Sequence, residues 1–237
     1  MDEPHPGTAV ETGPDPGRSG AWDDALLAAR LLKTGGAQLG GLWLKARAGG
    51  VRDAYLSHLK DLFGTGTPWM RVPGSVSHSA LLGSIDIPAT TRSGRVVATR
   101  GLLERADDGV LLVPMAERLD AASAAIIGNV MDSGTTRSPV RSPDREQSVL
   151  SARFQVIAID EAASAEEHIP HALSDRLGLV ADLSTVAWRD VAGPSPEPKR
   201  QASRTWLEVE IGAVVSELLS QVLSAFGCSS LRRLRYL

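Results

Sequence analysis

Four short apolar runs recur along the chain with helical patterns between them, and this alternation constrains the fold more than any other feature. The runs lie at residues 41–45, 110–113, 153–160 and 178–184. Apolar runs of this length are typical of strands that are buried on both faces, as in parallel sheets. Parallel strands need long crossover connections, which helices usually supply. The sequence therefore predicts an α/β fold, with a mainly parallel sheet flanked by helices.

Composition shifts divide the 237 residues into four parts. Residues 1–20 are polar and rich in Pro and Gly, which predicts a disordered N-terminal tail. The α/β core is expected over residues 21–191, and a Pro-rich linker over 192–203. A long amphipathic helix at about 204–226 then begins a partial helical lid that continues to residue 237.

Capping and turn residues predict where elements of the core begin and end. One helix is expected to begin near Asp23 and to end at Gly35, and a second is expected over residues 52–63. Asp120 is expected to cap a helix that runs to about Met131. The stretch after that helix, residues 133–150, is rich in Ser, Thr and Pro and is predicted to be a polar loop.

Charge and cysteine content exclude several classes of protein. The formal net charge is −3, so no global basic field would recruit nucleic acid. The single cysteine, Cys228, excludes an internal disulfide framework and is typical of a reducing cytosol. No apolar stretch approaches the ~20 residues that a membrane span needs, and the acidic N-terminus is unlike a signal peptide. We therefore expect a soluble cytoplasmic protein.

The stretch "LWLKARAGGVRDAYL", residues 42–56, has the layout of a phosphate-binding loop with few of its residues. A working loop reads G-x-x-x-x-G-K-[ST], whereas Ala46–Asp53 reads A-R-A-G-G-V-R-D. Gly49, Gly50, Arg52 and Asp53 are the candidate nucleotide-binding residues that remain. On the residues alone, a plain turn between a strand and a helix is the competing interpretation.

The physical chemistry of this loop favours weak nucleotide binding or none. Ala46 and Val51 place Cβ atoms where a working loop has glycines, and a β-branched residue resists the backbone angles required there. Arg52 keeps a positive charge but is longer and planar, so it does not simply replace Lys. Asp53 replaces the hydroxyl that would hold Mg²⁺ and adds a negative charge beside the phosphates.

Two motifs resemble a specific family at the separation that the family uses. They are "GSIDI" at residues 83–87 and "GLLERADDGVLL" at residues 101–112. Together with the blocks at 42–62, 151–160 and 169–184, they resemble the AAA+ module of magnesium chelatase, over roughly residues 21–190. This complex inserts Mg²⁺ into protoporphyrin IX during chlorophyll and bacteriochlorophyll synthesis. The resemblance implies an AAA+ parallel sheet with a helical lid.

Departures from the family pattern resemble those of its D-type member. Pro114 and Met115 stand where the motor protein of the complex, subunit I, has an Asp-Glu pair, and its Asn sensor position falls at Asp160 or Glu161. The resemblance therefore implies a non-hydrolysing partner of subunit I in a ring-type oligomer, with the large porphyrin-binding H-type protein as a further partner. It implies no cofactor bound tightly by this chain, although the complex uses ATP and Mg²⁺.

A subunit that does not hydrolyse nucleotide itself can still contribute to the active site of a neighbouring subunit in such a ring. By the same resemblance, "LSDRLGL" at residues 173–179 corresponds to "LLDRFGL" in the family. Arg176 is therefore a candidate catalytic arginine finger that acts in trans on the nucleotide of subunit I, and Arg153 is a second candidate. On the residues alone, Arg176 is a surface arginine paired with Asp175 or another nearby carboxylate.

Two further expectations concern how much of a full D-type protein the chain represents and which other function its residues would allow. No D-x-S-x-S metal motif occurs, and no metal site is predicted, because His168 and His171 are separated by Pro170. Since a full D-type protein continues into an integrin-like domain with that motif, we expect a truncated form. The alternative function is a divergent, MoxR-like AAA+ ATPase that acts as a metal-insertion or assembly chaperone.

Overall fold

A computed structural model describes most of the predicted core. It describes residues 20–137, 149–164, 166–191, 212–215, 217, 218 and 221. The predicted tail (apart from Gly20), the linker at 192–203 and most of the lid at 204–237 lie outside the described residues. Within the predicted helix at 204–226, residues 213–215, 217, 218 and 221 are helical. No helix in the described part of the chain is long and apolar enough to span a membrane.

Strands and helices alternate along the described chain. The strands are β1 (Gly41–Lys45), β2 (Trp69–Arg71), β3 (Gly83–Ile85), β4 (Ala98–Arg100), β5 (Gly109–Val113), β6 (Thr135–Arg137), β7 (Val149–Ser151), β8 (Phe154–Asp160) and β9 (Leu179–Asp182). The α-helices of the core are α1 (Gly20–Gly35), α2 (Gly50–Phe63), α3 (His78–Leu82), α4 (Ile87–Ser93), α5 (Leu102–Arg105), α6 (Ala121–Ser133), α7 (His171–Ser174) and α8 (Trp188–Val191). Two 3-10 turns lie at Gly36–Leu39 and Ala116–Arg118.

Five of the strands form one parallel sheet in the order β2-β5-β8-β1-β9. This confirms the mainly parallel sheet that the alternating pattern predicts. The first strand, β1, pairs with β8 from Gly41 opposite Val156 to Lys45 opposite Asp160. The loop after β1 and the residues after β8 therefore meet at the carboxyl edge of the sheet, where ligands of α/β proteins bind.

The core consists of two hydrophobic layers, one on each face of the sheet. Residues of β8 alternate between them: Val156 and Ala158 belong to one layer, whereas Ile157 and Ile159 belong to the other. Helices α1 and α2 cover the second layer, and α6 and α7 contribute to the first. Because successive strand residues point to opposite faces, a strand covered on both faces must be apolar throughout, as these runs are.

The helix predicted from Asp120 is confirmed. The Asp120 carboxylate accepts a hydrogen bond from the Ser123 backbone N–H at 2.8 Å, and α6 continues to Ser133 before Gly134 ends it at φ +63°. The hydrogen bond that the carboxylate accepts from the Ser123 backbone N–H is the main cause that lowers the pKa of Asp120.

The prediction of a polar loop over residues 133–150 is wrong at both ends of that range. Thr135–Arg137 and Val149–Ser151 pair as antiparallel strands β6 and β7, and Thr136 is buried. A second small antiparallel pair, β3 and β4, flanks α4. Strands of three residues are too short to show a period in the sequence, so their pairing becomes visible only when both partners are placed.

Candidate functional site

The degenerate loop folds as the predicted strand, turn and helix. The chain leaves β1 at Lys45, turns through residues 46–49 and enters α2 at Gly50, two residues earlier than predicted. Gly49 has a φ of +154°, a conformation that L side chains rarely adopt, and its carbonyl accepts the Asp53 N–H at 3.1 Å. The glycine at position 49 therefore permits the sharp entry into the helix.

An aromatic ring packs against the first turn of this helix. A Cβ atom built on Gly50 would lie 3.3 Å from two ring atoms of Trp188, the first residue of α8. Gly50 thus permits the close approach of the ring to the N-terminus of α2. In a working phosphate-binding loop this end of the helix faces the phosphates.

Arg52, at the position of the P-loop lysine, makes an ion pair with the carboxylate that follows β8. Its Nη1 lies 2.9 Å from Oε1 of Glu161, and the two side chains are only 19% and 22% exposed. Asp53 is a minor partner, because its side chain is 69% exposed and its Oδ1 lies 3.6 Å from Arg52 Nε. The fold therefore brings the lysine position and Glu161, one of the two residues predicted at the sensor position, together as one pair of opposite charges.

A second carboxylate, that of Glu117, which is not among the predicted site residues, holds the backbone of Glu161 beside this pair. The Glu117 side chain is 1% exposed, and its Oε2 accepts the Glu161 backbone N–H at 3.1 Å. Glu117 lies in the 3-10 turn at Ala116–Arg118, beyond Met115, whose φ of +47° turns the chain. An acidic residue this close to the end of β5 could have been noticed, but nothing in the sequence indicated its burial.

The position of the family's Asp-Glu pair carries no carboxylate. Pro114 and Met115 follow β5 directly, and a Cβ atom built on Gly74 would lie 3.9 Å from Cε of Met115. In the described ranges, no group of three or more His, Cys, Asp and Glu residues could hold a metal ion. Mg·ATP needs a loop hydroxyl and a strand-end carboxylate for its metal, and the residues at positions 53, 114 and 115 do not fit this requirement.

A cavity of about 390 Å³ lies beside the loop, and the carboxylates that line it are satisfied within the chain. Asp160 accepts hydrogen bonds from Trp43 Nε1 at 2.9 Å and from the Ala162 N–H at 3.0 Å. Burial raises the pKa of Asp182, but hydrogen bonds from the hydroxyl and N–H of Ser184, with the charge of Lys45, lower it overall. Asp160 and Asp182 therefore act as hydrogen-bond acceptors for other residues at the carboxyl edge of the sheet.

The candidate finger Arg176 lies at the opposite, amino edge of the sheet. It precedes β9, whereas residues 46–53 follow the carboxyl end of β1, so the two are separated by the length of a strand, about 16 Å. The Arg176 guanidinium pairs with Asp132 of α6 through Nε at 3.0 Å and Nη2 at 2.6 Å. The nearby carboxylate is therefore Asp132 rather than Asp175, and the Arg176 side chain is 13% exposed.

The second candidate, Arg153, is exposed at the same edge, immediately before β8. Its backbone N–H donates to the Asp107 carboxylate at 2.7 Å, and its carbonyl accepts the Asp108 N–H at 2.7 Å. Asp107 and Asp108 thus form the turn before β5. Since the two arginines share one edge, neither can reach the loop of its own chain.

The chain is similar in sequence to known proteins. No protein-family model matches the chain. It is 35% identical over 205 residues to the magnesium-chelatase 60 kDa subunit of Rhodobacter capsulatus, covering 83% of this chain and 32% of that protein. The 60 kDa subunit of Cereibacter sphaeroides is 31% identical over 218 residues, covering 90% of this chain and 34% of that protein.

The fold is also similar to a solved structure. It aligns with a chain of the complex between subunits BchI and BchD of magnesium chelatase, based on cryo-EM, with a TM-score of 0.50 and 19% identity. The alignment covers 86% of this chain and 72% of that chain. The chain spans about a third of the length of its curated relatives. With a parallel α/β core and identities of 35% and 31%, the chain is related to the magnesium-chelatase 60 kDa subunits over about a third of their length.

Proposed function

We propose that the chain is a non-hydrolysing, D-type AAA+ subunit of magnesium chelatase. It acts as a platform and regulator for the ATPase subunit I during ATP-dependent insertion of Mg²⁺ into protoporphyrin IX. The observation that carries the proposal is the 2.9 Å ion pair between Arg52, at the position of the P-loop lysine, and Glu161, one of the two residues predicted at the sensor position. The missing carboxylates at Pro114 and Met115 support it, because both metal binding and water activation would need them.

The relatives support the assignment to this complex. Both curated relatives are named as magnesium-chelatase subunits, and the similar structure is a complex of BchI with BchD. An AAA+ subunit without a working site of its own contributes to catalysis only through a neighbour. We therefore place subunit I beside this chain in a ring-type assembly, with the large porphyrin-binding H-type protein as a further partner of the complex.

The amino edge of the sheet is the place from which this chain would act on its neighbour. Arg176 and Arg153 lie there, about a strand length from the loop of their own chain. A guanidinium at this edge serves a nucleotide only if that nucleotide belongs to an adjacent subunit. Arginines supplied in trans raise phosphoryl-transfer rates by about 10³–10⁵ in related systems.

Phosphate release from ATP, measured with this chain alone and with subunit I, tests the proposal. We expect no turnover by the chain alone, and a change in the rate or assembly of subunit I when the chain is added. Arg176→Ala should weaken that effect, whereas Arg100→Ala should leave it intact, because Arg100 lies on β4, outside the parallel sheet, and pairs with Glu104. ATP turnover by the chain alone would favour a MoxR-like ATPase instead.

A further inference from the structure

Three charged side chains converge at the carboxyl edge of the sheet. Arg52 comes from the first turn of α2, Glu117 from the turn after β5, and Glu161 from the residue after β8. Arg52 pairs with Glu161 at 2.9 Å, and Glu117 accepts the Glu161 backbone N–H at 3.1 Å. The carboxylate of Glu161 thus lies against the guanidinium, and the backbone of Glu161 is held by a second, almost fully buried carboxylate.

We propose that Glu161 is an internal substitute for a phosphate group, occupying Arg52 and closing the degenerate loop to nucleotides. A carboxylate and a phosphate group compete for the same guanidinium donors, because both offer anionic oxygens that accept charge-assisted hydrogen bonds. The inference rests on the proposed function and explains at atomic level why this loop would not load ATP.

The partial burial of Arg52 and Glu161 strengthens the ion pair by which Glu161 takes the place of a phosphate group. Side chains that are 19% and 22% exposed are screened by salt less than surface charges are. An incoming triphosphate would have to displace Glu161 from Arg52 and would then meet the negative charges of both Glu161 and Glu117. Such like-charge contacts disfavour binding, in addition to the lost ion pair.

The same geometry indicates a latent binding site for nucleoside polyphosphates. Among the described residues, Arg52 Nε is buried and has no hydrogen-bond partner, since Asp53 Oδ1 at 3.6 Å is beyond hydrogen-bond distance, so this donor would serve an acceptor that reaches it once the pair opens. Neutralising Glu161 would free Arg52 as the anion-binding group of the loop, together with the N-terminus of α2. Binding should not require Mg²⁺, since positions 53, 114 and 115 do not supply its ligands.

Binding of a fluorescent N-methylanthraniloyl ATP, with and without Mg²⁺, tests the inference. We expect Glu161→Gln to bind it on the order of tenfold or more tightly than the wild-type chain, because one charge-assisted bond to Arg52 becomes available. Glu161→Asp retains the negative charge and should show no gain. Adding Arg52→Gln to Glu161→Gln should abolish the gain.

Two outcomes would overturn the inference: tight binding by the wild-type chain, or equal affinities of a folded Glu161→Gln and the wild type. Glu161→Ser serves as a second neutral variant should the glutamine variant unfold, because its short side chain cannot reach Arg52. The effect of each variant on subunit I is recorded separately. A loop that binds nucleotide in the wild type while the chain still stimulates subunit I would refute internal occlusion and leave the platform function standing.

Discussion

Asp132 and Arg176 form a two-pronged ion pair between the last turn of α6 and the turn that precedes β9. The guanidinium Nε and Nη2 lie 3.0 and 2.6 Å from the two carboxylate oxygens, and Nη1 donates to the Ala172 carbonyl. This geometry holds Arg176 in one orientation at the amino edge of the sheet. To contact the nucleotide of a neighbour through these donors, Arg176 would have to exchange the Asp132 carboxylate for a phosphate group.

Asp132→Asn separates a positioning role from a purely structural role for this pair. The variant removes the charge that orients Arg176 but keeps the guanidinium, so it should weaken the stimulation of subunit I less than Arg176→Ala does. Each substitution should lower the free energy of unfolding by about 1 kcal/mol, because the pair is only partly buried. Urea denaturation and the ATPase rate of subunit I are the two measurements.

A double-mutant cycle on the same residues provides the control. The combined variant should cost less stability than the sum of the single variants, since each single change already breaks the pair. Equal loss of stimulation by Asp132→Asn and Arg176→Ala, in step with their loss of stability, would indicate that the pair is structural only.

Gly128→Ala should disturb the packing of α6 against α7. An added Cβ would lie 2.6 Å from the Ala172 carbonyl oxygen and 3.1 Å from Cζ and Nε of Arg176. Because a backbone oxygen cannot simply rotate away, we expect destabilisation of about 1–3 kcal/mol in urea denaturation. Gly66→Ala is the matched control, since nothing lies within 4 Å of its added Cβ. Equal midpoints for the two variants would contradict this packing.

The sequence predicts the parallel sheet well because a strand buried on both faces must be apolar throughout. Residues 41–45 form β1 as predicted, and the predicted Asp120 cap is present. The strand, turn and helix around the degenerate loop follow from local signals in the same way, although α2 begins at Gly50 rather than at residue 52. Local propensity and burial pattern therefore suffice for this part of the fold.

The charge network of the candidate site could not be predicted, because its members are far apart in the sequence. Arg52 and Glu161 are individually noticeable, but only the β1–β8 register brings them to one edge. Glu117 looks like an ordinary surface acid until the turn after β5 buries it. The pairing of Arg176 with Asp132 depends likewise on where α6 packs, which no short sequence pattern encodes.

Tyr55→Phe should weaken the contact between α1 and α2 without affecting either edge of the sheet. The Tyr55 hydroxyl donates to the Ala25 carbonyl at 2.7 Å, and burial raises the pKa of Tyr55, so the group stays a neutral donor. Removing it should cost about 1 kcal/mol in urea denaturation. Thr91→Val, which removes an exposed hydroxyl of α4, should change stability by less than ~0.5 kcal/mol. If Tyr55→Phe leaves the free energy of unfolding unchanged, the buried hydrogen bond makes no net contribution to stability.

His58→Gln should reduce the loss of stability on mild acidification. Burial, with the positive charge of Arg30, lowers the pKa of His58 below its ordinary value of 6.5, although Asp61 opposes the shift. Below about pH 6.5 the unfolded chain therefore binds a proton at His58 that the folded chain resists, and stability falls as the pH drops. Asp120 and Asp182 affect stability in a different pH range. Because folding lowers the pKa of each carboxyl group, the stability that they contribute is lost only below about pH 3.8. Urea midpoints at pH 7.5 and 5.0 should differ less in His58→Gln than in the wild type, and identical differences would exclude His58 as a source of the acid sensitivity.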